Sequence, residues 1–298
     1  MGCSAAYHLA STSNLKIAVV EKDCSFSRGI NVEMSQYGSE FLASNVQILY
    51  DNYETQRAAG SHVVLLTPDE IEERFPWIST EGISAGTLGI KHEGWFDPWS
   101  YLVAMKKKCV SLGVDVLDGE VKSFDMGANN TIEKVHIEKK EGGNHQTLTA
   151  SKVVNAAGPW ASKILEACGS FDYPEADDVD GVSTEELDFP DHEIFEEVIW
   201  PTIATRVQKF EDIKVVNAWS GFYEYNTFDQ NAIMGIHPDV PNLYLMNGFS
   251  GHGLQQSPAA GRAIAELIVH GEYKTIDVSC FNFQRVRDNE PFLEQAIV

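Results

Sequence analysis

Asn247 to Gly253, with the sequence Asn-Gly-Phe-Ser-Gly-His-Gly, is the segment with the clearest chemical potential. Three glycines in six residues let the backbone approach a bound group closely, because no Cβ atoms stand in the way. A predicted strand, Leu243 to Asn247, precedes the segment, and a predicted helix follows it. The start of that helix offers unpaired N–H groups and partial positive charge. The pattern suits the pyrimidine ring of a flavin, which becomes anionic on reduction. An ordinary Gly-rich turn is the alternative.

The helix after this segment has complete start and stop signals. Ser257 is predicted as its N-cap, Pro258 as its first residue, and Gly271 as the residue that follows its end. Its apolar face consists of four residues at helical spacing: Ala260, Ile264, Leu267 and Ile268.

The N-terminal residues predict part of a dinucleotide-binding unit. Gly2 begins a predicted helix, an apolar strand follows over Leu15 to Val20, and Glu21 ends that strand 19 residues after Gly2. In dinucleotide folds an acidic residue about 20 positions beyond the glycine turn accepts hydrogen bonds from the adenosine ribose. Only the last glycine of G-x-G-x-x-G is present, as Gly2. A generic helix–strand pair is the alternative.

The other predicted elements also alternate between helix and strand, which indicates an α/β fold. Lys152 to Gly158 is predicted as a strand with a turn, and Trp160 to Cys168 as the helix after it. A β-meander is predicted over Val121 to Ile137. Two further strands are predicted over Ile213 to Trp219 and Gly221 to Tyr225.

Two motifs carry a family resemblance: Asn155-Ala-Ala-Gly158-Pro-Trp160, and the segment Gly248 to Gly261. Together they resemble the FAD-dependent amine and amino-acid oxidoreductases of the D-amino-acid oxidase and sarcosine oxidase type. Longer runs resemble a mitochondrial member of this family that is associated with assembly of respiratory complex I. These runs are Phe75 to Trp77, Glu93 to Pro98, Tyr223 to Asn231 and Gly248 to Gln256. The resemblance covers most of residues 2–168 and 190–298.

The resemblance implies a two-domain α+β flavoprotein with a Rossmann-like FAD-binding domain and an antiparallel-sheet substrate domain, both incomplete. The FAD-binding domain is expected to comprise residues 1–36, 100–170 and 228–298. The substrate domain is expected to comprise residues 37–99 and 171–227.

The resemblance also implies which residues hold FAD. Gly2 and Glu21 would serve the pyrophosphate and ribose, and the Val121 backbone would meet the adenine. Asp229 is expected in a turn near the flavin, with a solvated carboxylate as the alternative. The residues expected to line the rest of the cofactor are Ala157, Gly158, Trp160, Gly248, Ser250, Gly251, His252, Gly253 and Leu254.

Four residues are candidates for contact with a small amine or amino-acid substrate: His252, Gln255, Tyr223 and Tyr225. For the two tyrosines, packing in an aromatic cluster is the alternative. Sarcosine-oxidase-like relatives carry a lysine that holds the substrate carboxylate where this chain has Gln255. A neutral amide can hydrogen-bond a carboxylate but supplies no charge.

The chain looks shortened relative to this family. The first strand and the first two glycines are missing, and a loop is missing between Arg28 and a predicted helix over Val32 to Phe41. Much of the substrate-domain sheet is missing between Gly169 and about Phe189. We therefore expect weakened FAD binding, which incubation with FAD followed by desalting would test.

Composition excludes several classes of protein. The net charge is −22 at pH 7, from 22 Lys and Arg against 44 Asp and Glu, and twelve of the acidic residues lie between Asp172 and Glu197. This excess repels nucleic acid and anionic lipid. Five cysteines without C-x-x-C spacing argue against a disulfide framework and a zinc site, and no metal is expected. No apolar run reaches the length of a membrane span.

Two functions remain open besides the flavoenzyme. The first is a catalytically silent assembly factor, derived from a flavoprotein, that binds respiratory complex I subunits or assembly intermediates. The second and weaker one is a hydrolase, because Gly-Phe-Ser-Gly approaches the G-x-S-x-G elbow but has His252 in place of its second glycine. The resemblance implies a location on the matrix side of the mitochondrial inner membrane, although no targeting peptide precedes Met1.

Overall fold

The structure, a computed structural model, describes residues 1–22, 46–91, 96–139, 144–169 and 190–293. The helix predicted over Val32 to Phe41 and most of the acidic stretch lie outside the described residues. By their internal contacts the residues form two compact units. The larger comprises Met1–Asn31, Pro98–Thr184 and Gly221–Val298, and the smaller comprises Val32–Asp97 and Glu185–Ser220. The fold is mixed α/β, as the sequence predicts.

The larger unit begins with the predicted helix and strand. Helix α1 (Gly2–Thr12) leads into strand β1 (Ala18–Glu21), which pairs in parallel with β4 (Asp115–Asp118). Helix α4 (Pro98–Ser111) supplies the crossover between this region and β4. Cys3, Ala6, Cys109 and Val114 form a small apolar core where α1 and α4 meet. This is the helix–strand arrangement typical of a dinucleotide-binding unit.

A second sheet in the larger unit has the strand order β8–β10–β9. Strand β10 (Leu243–Asn247) is buried along its whole length, as expected of a central strand. It pairs in parallel with β8 (Val153–Asn155) and antiparallel with β9 (Ile233–Ile236). The carboxyl ends of β8 and β10 therefore lie at the same edge, where loops commonly carry ligand-binding residues.

The predicted meander is confirmed as an antiparallel sheet of β5 (Glu120–Met126), β6 (Ile132–Glu138) and β7 (His145–Thr149). The connection between β5 and β6 turns through Asn129 and Asn130, which both have positive φ angles (62° and 55°). Asparagine tolerates positive φ angles better than most residues, so the two asparagines suit the turn between β5 and β6.

The smaller unit contains helix α2 (Val46–Ala58), the antiparallel pair β2 (Val63–Leu66) and β3 (Gly86–Gly89), and helix α3 between those strands. Helix α3 (Pro68–Arg74) is capped by Thr67, which forms a capping box with Glu70. The smaller unit also contains helix α6 (Trp200–Arg206). The remaining helices belong to the larger unit: α5 (Ala161–Glu166), α7 (Gly253–His270) and α8 (Gln284–Arg287).

The strands predicted over Ile213 to Trp219 and Gly221 to Tyr225 are not formed. Among the described residues these belong to no helix or strand, and Val216 is 96% exposed. A β-branched and aromatic composition stabilises a strand only where a neighbouring strand supplies hydrogen bonds.

Helix α7 begins at Gly253, four residues before the predicted N-cap, so Pro258 lies inside the helix. Pro258 has no N–H to donate to the carbonyl of Leu254. The hydroxyl of Ser257 donates to that carbonyl instead, at 2.8 Å. Ser257 therefore compensates for the proline and does not cap the helix.

Helices α1 and α7 pack backbone against backbone at Gly261. A Cβ atom on Gly261 would lie 2.6 Å from the Ser4 carbonyl carbon and 2.7 Å from the Ala5 nitrogen. Only glycine permits this approach. On either side of it, apolar residues of both helices join one core with β9 and β10, including Ala5, Ala260 and Ile264.

We expect Gly261→Ala to lower the free energy of unfolding by about 1–3 kcal/mol, because the added methyl group forces α1 and α7 apart. Helix propensity alone predicts the opposite sign, a gain of about 1 kcal/mol. Denaturant unfolding of the variant beside the wild type and beside Ala259→Ser, at an exposed position of α7, measures the difference. A stabilised Gly261→Ala variant would show that the two helices are not held this closely.

Candidate functional site

The starts of helices α1 and α7 converge in the larger unit. A Cβ atom on Gly253, the first residue of α7, would lie 3.5 Å from the Met1 side chain. One on Gly2 would lie 3.8 Å from the Ala156 Cβ, just beyond strand β8. Two helix N-termini and the turn after β8 thus surround one region. Because each N-terminus carries partial positive charge and free N–H groups, the region favours an anionic group.

The residues predicted for the adenosine end of FAD include Glu21, at the end of β1. The Gly119 N–H donates to the Glu21 carbonyl (3.0 Å), which places the start of β5 and Val121 beside the end of β1. The Glu21 carboxylate is close enough to interact electrostatically with the Met1 amino group at the start of α1. Glu21 therefore lies near both the start of α1 and the start of β5, and the assignment of Gly2, Glu21 and Val121 to the dinucleotide stays a prediction.

Asn155 shapes the turn after β8. Its side chain donates to the Ala161 carbonyl (3.0 Å) and accepts from the Ala157 N–H (3.2 Å), while its own carbonyl accepts from the Asn247 side chain (2.9 Å). The turns after β8 and β10 are thereby tied to each other. Gly158 takes a positive φ angle of 56° within the turn.

An aromatic pair closes one side of this turn. The ring of Trp160 meets the ring of Phe222 edge to face, with their centres 5.3 Å apart. Such a pair gives the turn an apolar wall.

The loop from Gly248 to His252 turns sharply between β10 and α7. Three of its residues have positive φ angles: Gly248 (72°), Ser250 (43°) and Gly251 (84°). Gly248 also approaches Asn226, whose Cβ would lie 3.4 Å from an added Cβ atom. Gly248 and Gly251 are therefore favoured by the backbone conformation, which residues with a Cβ atom rarely adopt.

Two hydrogen-bonded contacts attach this loop to residues 224–226. The Glu224 carboxylate accepts from the Gly248 N–H at 2.7 Å and from the Phe249 N–H at 3.5 Å. The Asn226 N–H donates to the Ser250 hydroxyl at 2.9 Å. Ser250 is fully buried, so its side chain anchors the loop on the protein side.

Asp229 is buried and bonded entirely to other protein groups. Its carboxylate forms a two-point ion pair with Arg285, with distances of 2.7 and 2.9 Å. It also accepts from the Asn226 side chain (2.8 Å) and from the Phe292 N–H (3.0 Å). Because these donors occupy its oxygens, Asp229 has a structural role. It holds the side chain of Asn226, whose backbone N–H in turn bonds to Ser250 in the loop.

The four candidate substrate residues lie around the same loop. His252 precedes α7, and its Nδ1 lies 3.1 Å from the Ser250 carbonyl oxygen. Gln255 is exposed in the first turn of α7, and Leu254 before it is partly buried. Tyr223 and Tyr225 are partly buried, with ring centres 6.2 Å apart.

Other catalytic chemistries find little support in the described residues. The Ser250 hydroxyl is fully buried and bonded to a backbone N–H, and the nearest imidazole, His252, is bonded to a carbonyl, so a serine–histidine pair is not formed. Burial raises the pKa of the Cys109 thiol to about 11 and that of Cys168 to about 12, so neither is a thiolate at neutral pH. Within the same ranges no set of three His, Cys, Asp or Glu side chains is arranged to hold a metal ion, and no helix is long and apolar enough to cross a membrane.

The residues present fit a bound flavin dinucleotide. The first hydrogen bond of α7 runs from the Gln256 N–H to the His252 carbonyl, so the N–H groups of Gly253, Leu254 and Gln255 have no partner inside the helix. The buried Asn247 side-chain oxygen also has no hydrogen-bond partner among the described residues. A pyrimidine ring presents carbonyl acceptors and an N–H donor, which match these unpaired groups.

The motifs quoted from the sequence contain Asn155, Asn247, Glu224 and Asn226 but predicted no role for them in holding the loops, and Arg285 lies outside every motif. A carboxyl group between Tyr223 and Tyr225, in an otherwise aromatic run, is a detectable signal for Glu224. Arg285 gives no such signal, because its partner lies 56 residues earlier in the chain.

Comparison with known proteins identifies the family. The family model described as "FAD dependent oxidoreductase" matches residues 24–176 and 168–267, most of the chain. The chain belongs to this FAD-dependent oxidoreductase family. The resemblance derived from the sequence motifs is confirmed, and FAD is the cofactor of the family.

Two curated relatives and one solved structure illustrate the match. FAD-dependent oxidoreductase domain-containing protein 1 of Xenopus laevis is 33% identical over 413 aligned positions, covering 100% of this chain and 83% of that protein. The mitochondrial sarcosine dehydrogenase of Mus musculus is 24% identical, covering 85% of this chain and 33% of that protein. L-proline dehydrogenase from P. horikoshii has the same fold, with a TM-score of 0.76, 20% identity, and coverage of 97% and 96%.

The Xenopus alignment also shows that this FAD-dependent oxidoreductase is shortened. It runs over 413 positions although the chain has 298 residues, so it crosses segments that this chain lacks.

We expect Asp229→Asn to lower the free energy of unfolding by about 3 kcal/mol or more, because it leaves the Arg285 guanidinium buried and uncompensated. Asp239→Asn is the matched control, since Asp239 pairs with Arg287 at the surface with 54% of its side chain exposed. Loss of the Asp239–Arg287 ion pair should lower the free energy of unfolding by less than about 1 kcal/mol. Equal costs in denaturant unfolding would contradict the supporting role of Asp229.

Proposed function

We propose that this FAD-dependent oxidoreductase oxidises the C–N bond of a small amine, of the secondary or N-methyl amino-acid type. The observation that carries the proposal is the convergence of the α1 and α7 N-termini around the Gly248–His252 loop. The sequence similarity to sarcosine dehydrogenase supports the substrate class.

The bound FAD would supply the hydride acceptor for oxidation of the C–N bond. The chain's own contribution is to bind and orient. Gly2 at the start of α1 and Glu21 at the end of β1 would hold the pyrophosphate and the ribose. The free N–H groups of Gly253 and Leu254 would hold the pyrimidine side and stabilise the negative charge that reduction places there.

The residues around the loop favour a neutral amine as the reacting form. Glu224 is committed to two backbone N–H groups, and Asp229 to Arg285. Neither carboxylate is therefore placed to remove a proton from substrate. Direct hydride transfer from an unprotonated amine needs no such base. Gln255 would donate a hydrogen bond from its side-chain amide to a substrate carboxylate without supplying charge.

We expect Gly251→Ala to raise the dissociation constant for FAD at least tenfold, because alanine resists the φ angle of 84° that the loop requires. Gly271→Ala is the matched control. It introduces the same strain at a φ angle of 76° at the other end of α7, where nothing lies within 4 Å of the added Cβ. Fluorescence titration with FAD measures both variants. Equal affinities for the two would remove the loop from the cofactor site.

We expect an N-methyl amino acid to bleach the flavin absorption of the FAD-loaded protein in the absence of oxygen, with the rate rising with pH as more of the amine becomes neutral. The corresponding quaternary ammonium compound, which cannot become a neutral amine, serves as the control. Bound flavin that no secondary amine reduces would contradict the proposed reaction while leaving FAD binding intact.

A second proposal is that the chain acts by binding respiratory complex I subunits or assembly intermediates, on the matrix side of the mitochondrial inner membrane. Two observations favour a protein-binding role. By the family resemblance, Gln255 stands where sarcosine-oxidase-like relatives carry a lysine, and its neutral amide would supply no charge to a substrate carboxylate. In residues 194–199, Ile194, Val198 and Ile199 are 43–57% exposed, next to the acidic Glu196 and Glu197.

Complex I intermediates that co-purify equally well with the wild type and with Gly251→Ala would support protein binding independent of FAD. Failure of both proteins to co-purify, or recovery outside mitochondria, would contradict this second proposal.

A further inference from the structure

Glu224 stands out among the residues around the loop because it is an acidic side chain in an apolar and aromatic setting. It lies between Tyr223 and Tyr225 and is only partly exposed. Its two carboxylate oxygens accept from consecutive backbone N–H groups, those of Gly248 and Phe249. No sequence motif considered above includes it in the cofactor site.

A charged acceptor at this position carries a desolvation cost, because it is largely removed from water. Desolvation raises the pKa of the Glu224 carboxyl group, against the opposing effects of the Gly248 and Phe249 N–H groups and the Met1 amino group. Folding therefore favours the protonated form, so stability falls as pH rises from the ordinary glutamate pKa through the raised one. A carboxylate that costs stability and contacts a binding loop is typical of a functional site.

The loop between β10 and α7 is also held by the bond from the His252 N–H to the Phe249 carbonyl (3.0 Å) and by the Phe249 side chain, which is buried in the core. Besides Glu224, residues 224–226 contact it through the bond from the Asn226 N–H to the Ser250 hydroxyl. Gly248 and Gly251 give the backbone unusual freedom. Without the carboxylate, the N–H groups of Gly248 and Phe249 lose their acceptors. The backbone between β10 and the start of α7 is then less restrained at its first two residues.

We propose that Glu224 is a positioning residue of the flavin site, whose carboxylate fixes Gly248 and Phe249 and so keeps the N–H groups at the start of α7 available to FAD. This inference rests on the proposed FAD site. Glu224 acts through the loop and touches neither cofactor nor substrate in this account.

The test compares Glu224→Gln with Glu224→Asp in the full chain. Glutamine keeps the shape but offers one acceptor oxygen, so its other atom, an NH₂ group, faces a backbone N–H. We expect it to raise the FAD dissociation constant about tenfold, the equivalent of about 1.4 kcal/mol. Aspartate keeps both oxygens on a shorter stem and should fall between glutamine and the wild type.

Two further readouts separate positioning from general structural damage. In the FAD-free protein, we expect Glu224→Gln to speed amide hydrogen exchange at Gly248 and Phe249 while the unfolding free energy stays equal or rises. The visible absorption of flavin bound to Glu224→Gln should also shift from that of the wild type. Glu166→Gln, an equal charge change at an exposed position of α5, should alter none of these.

The proposal is overturned if Glu224→Gln matches the wild type in FAD affinity and amide exchange, or if Glu224→Asp is no better than Glu224→Gln. If the wild type itself binds no FAD, the proposed function fails. The amide exchange of the FAD-free variants then still decides whether Glu224 positions the loop.

Discussion

Helices α1 and α7 approach each other so closely at Gly261 that a single methyl group would not fit between them. This contact holds the first turns of α1 against the middle of α7. Met1 and Gly253 lie side by side as a result, and the partial positive charges of two helix N-termini reinforce each other. The turn after β8 and the loop after β10 open into the same region, since the two strands are parallel neighbours. The candidate site is therefore a consequence of helix packing.

Side-chain bonds to the backbone do the rest of the positioning. Asn155 and Asn247 tie the two turns together, and Glu224 and Ser250 hold the glycine loop. Beneath them the Asp229–Arg285 pair is sealed from solvent. A buried polar network of this kind stabilises the fold only when nearly all of its donors and acceptors are hydrogen-bonded. The Asn247 side-chain oxygen, unpartnered among the described residues, marks the place where a ligand would complete it.

Much of this arrangement could be predicted from local patterns. The strand–loop–helix unit around Gly248 to Gly253, the position of Glu21, and the meander all follow from glycine placement and apolar periodicity. The start of α7 could not be predicted, because Ser257 and Pro258 have the same sequence signature as a helix start. In the structure both residues lie inside the helix, where the Ser257 hydroxyl donates to the Leu254 carbonyl that Pro258 leaves without a partner. The missing strands before Tyr225 and the burial of Asp229 depend on distant partners, which no local pattern contains.

The central claim is that FAD binds between the starts of α1 and α7, and hydrogen exchange of the intact chain with and without FAD tests it directly. Bound cofactor should slow exchange at the backbone amides of residues 2–4 and 251–255, while the sheet of β5, β6 and β7 beyond Val121 remains unchanged. Saturating FAD that protects neither helix start, or that protects other residues instead, would contradict the account.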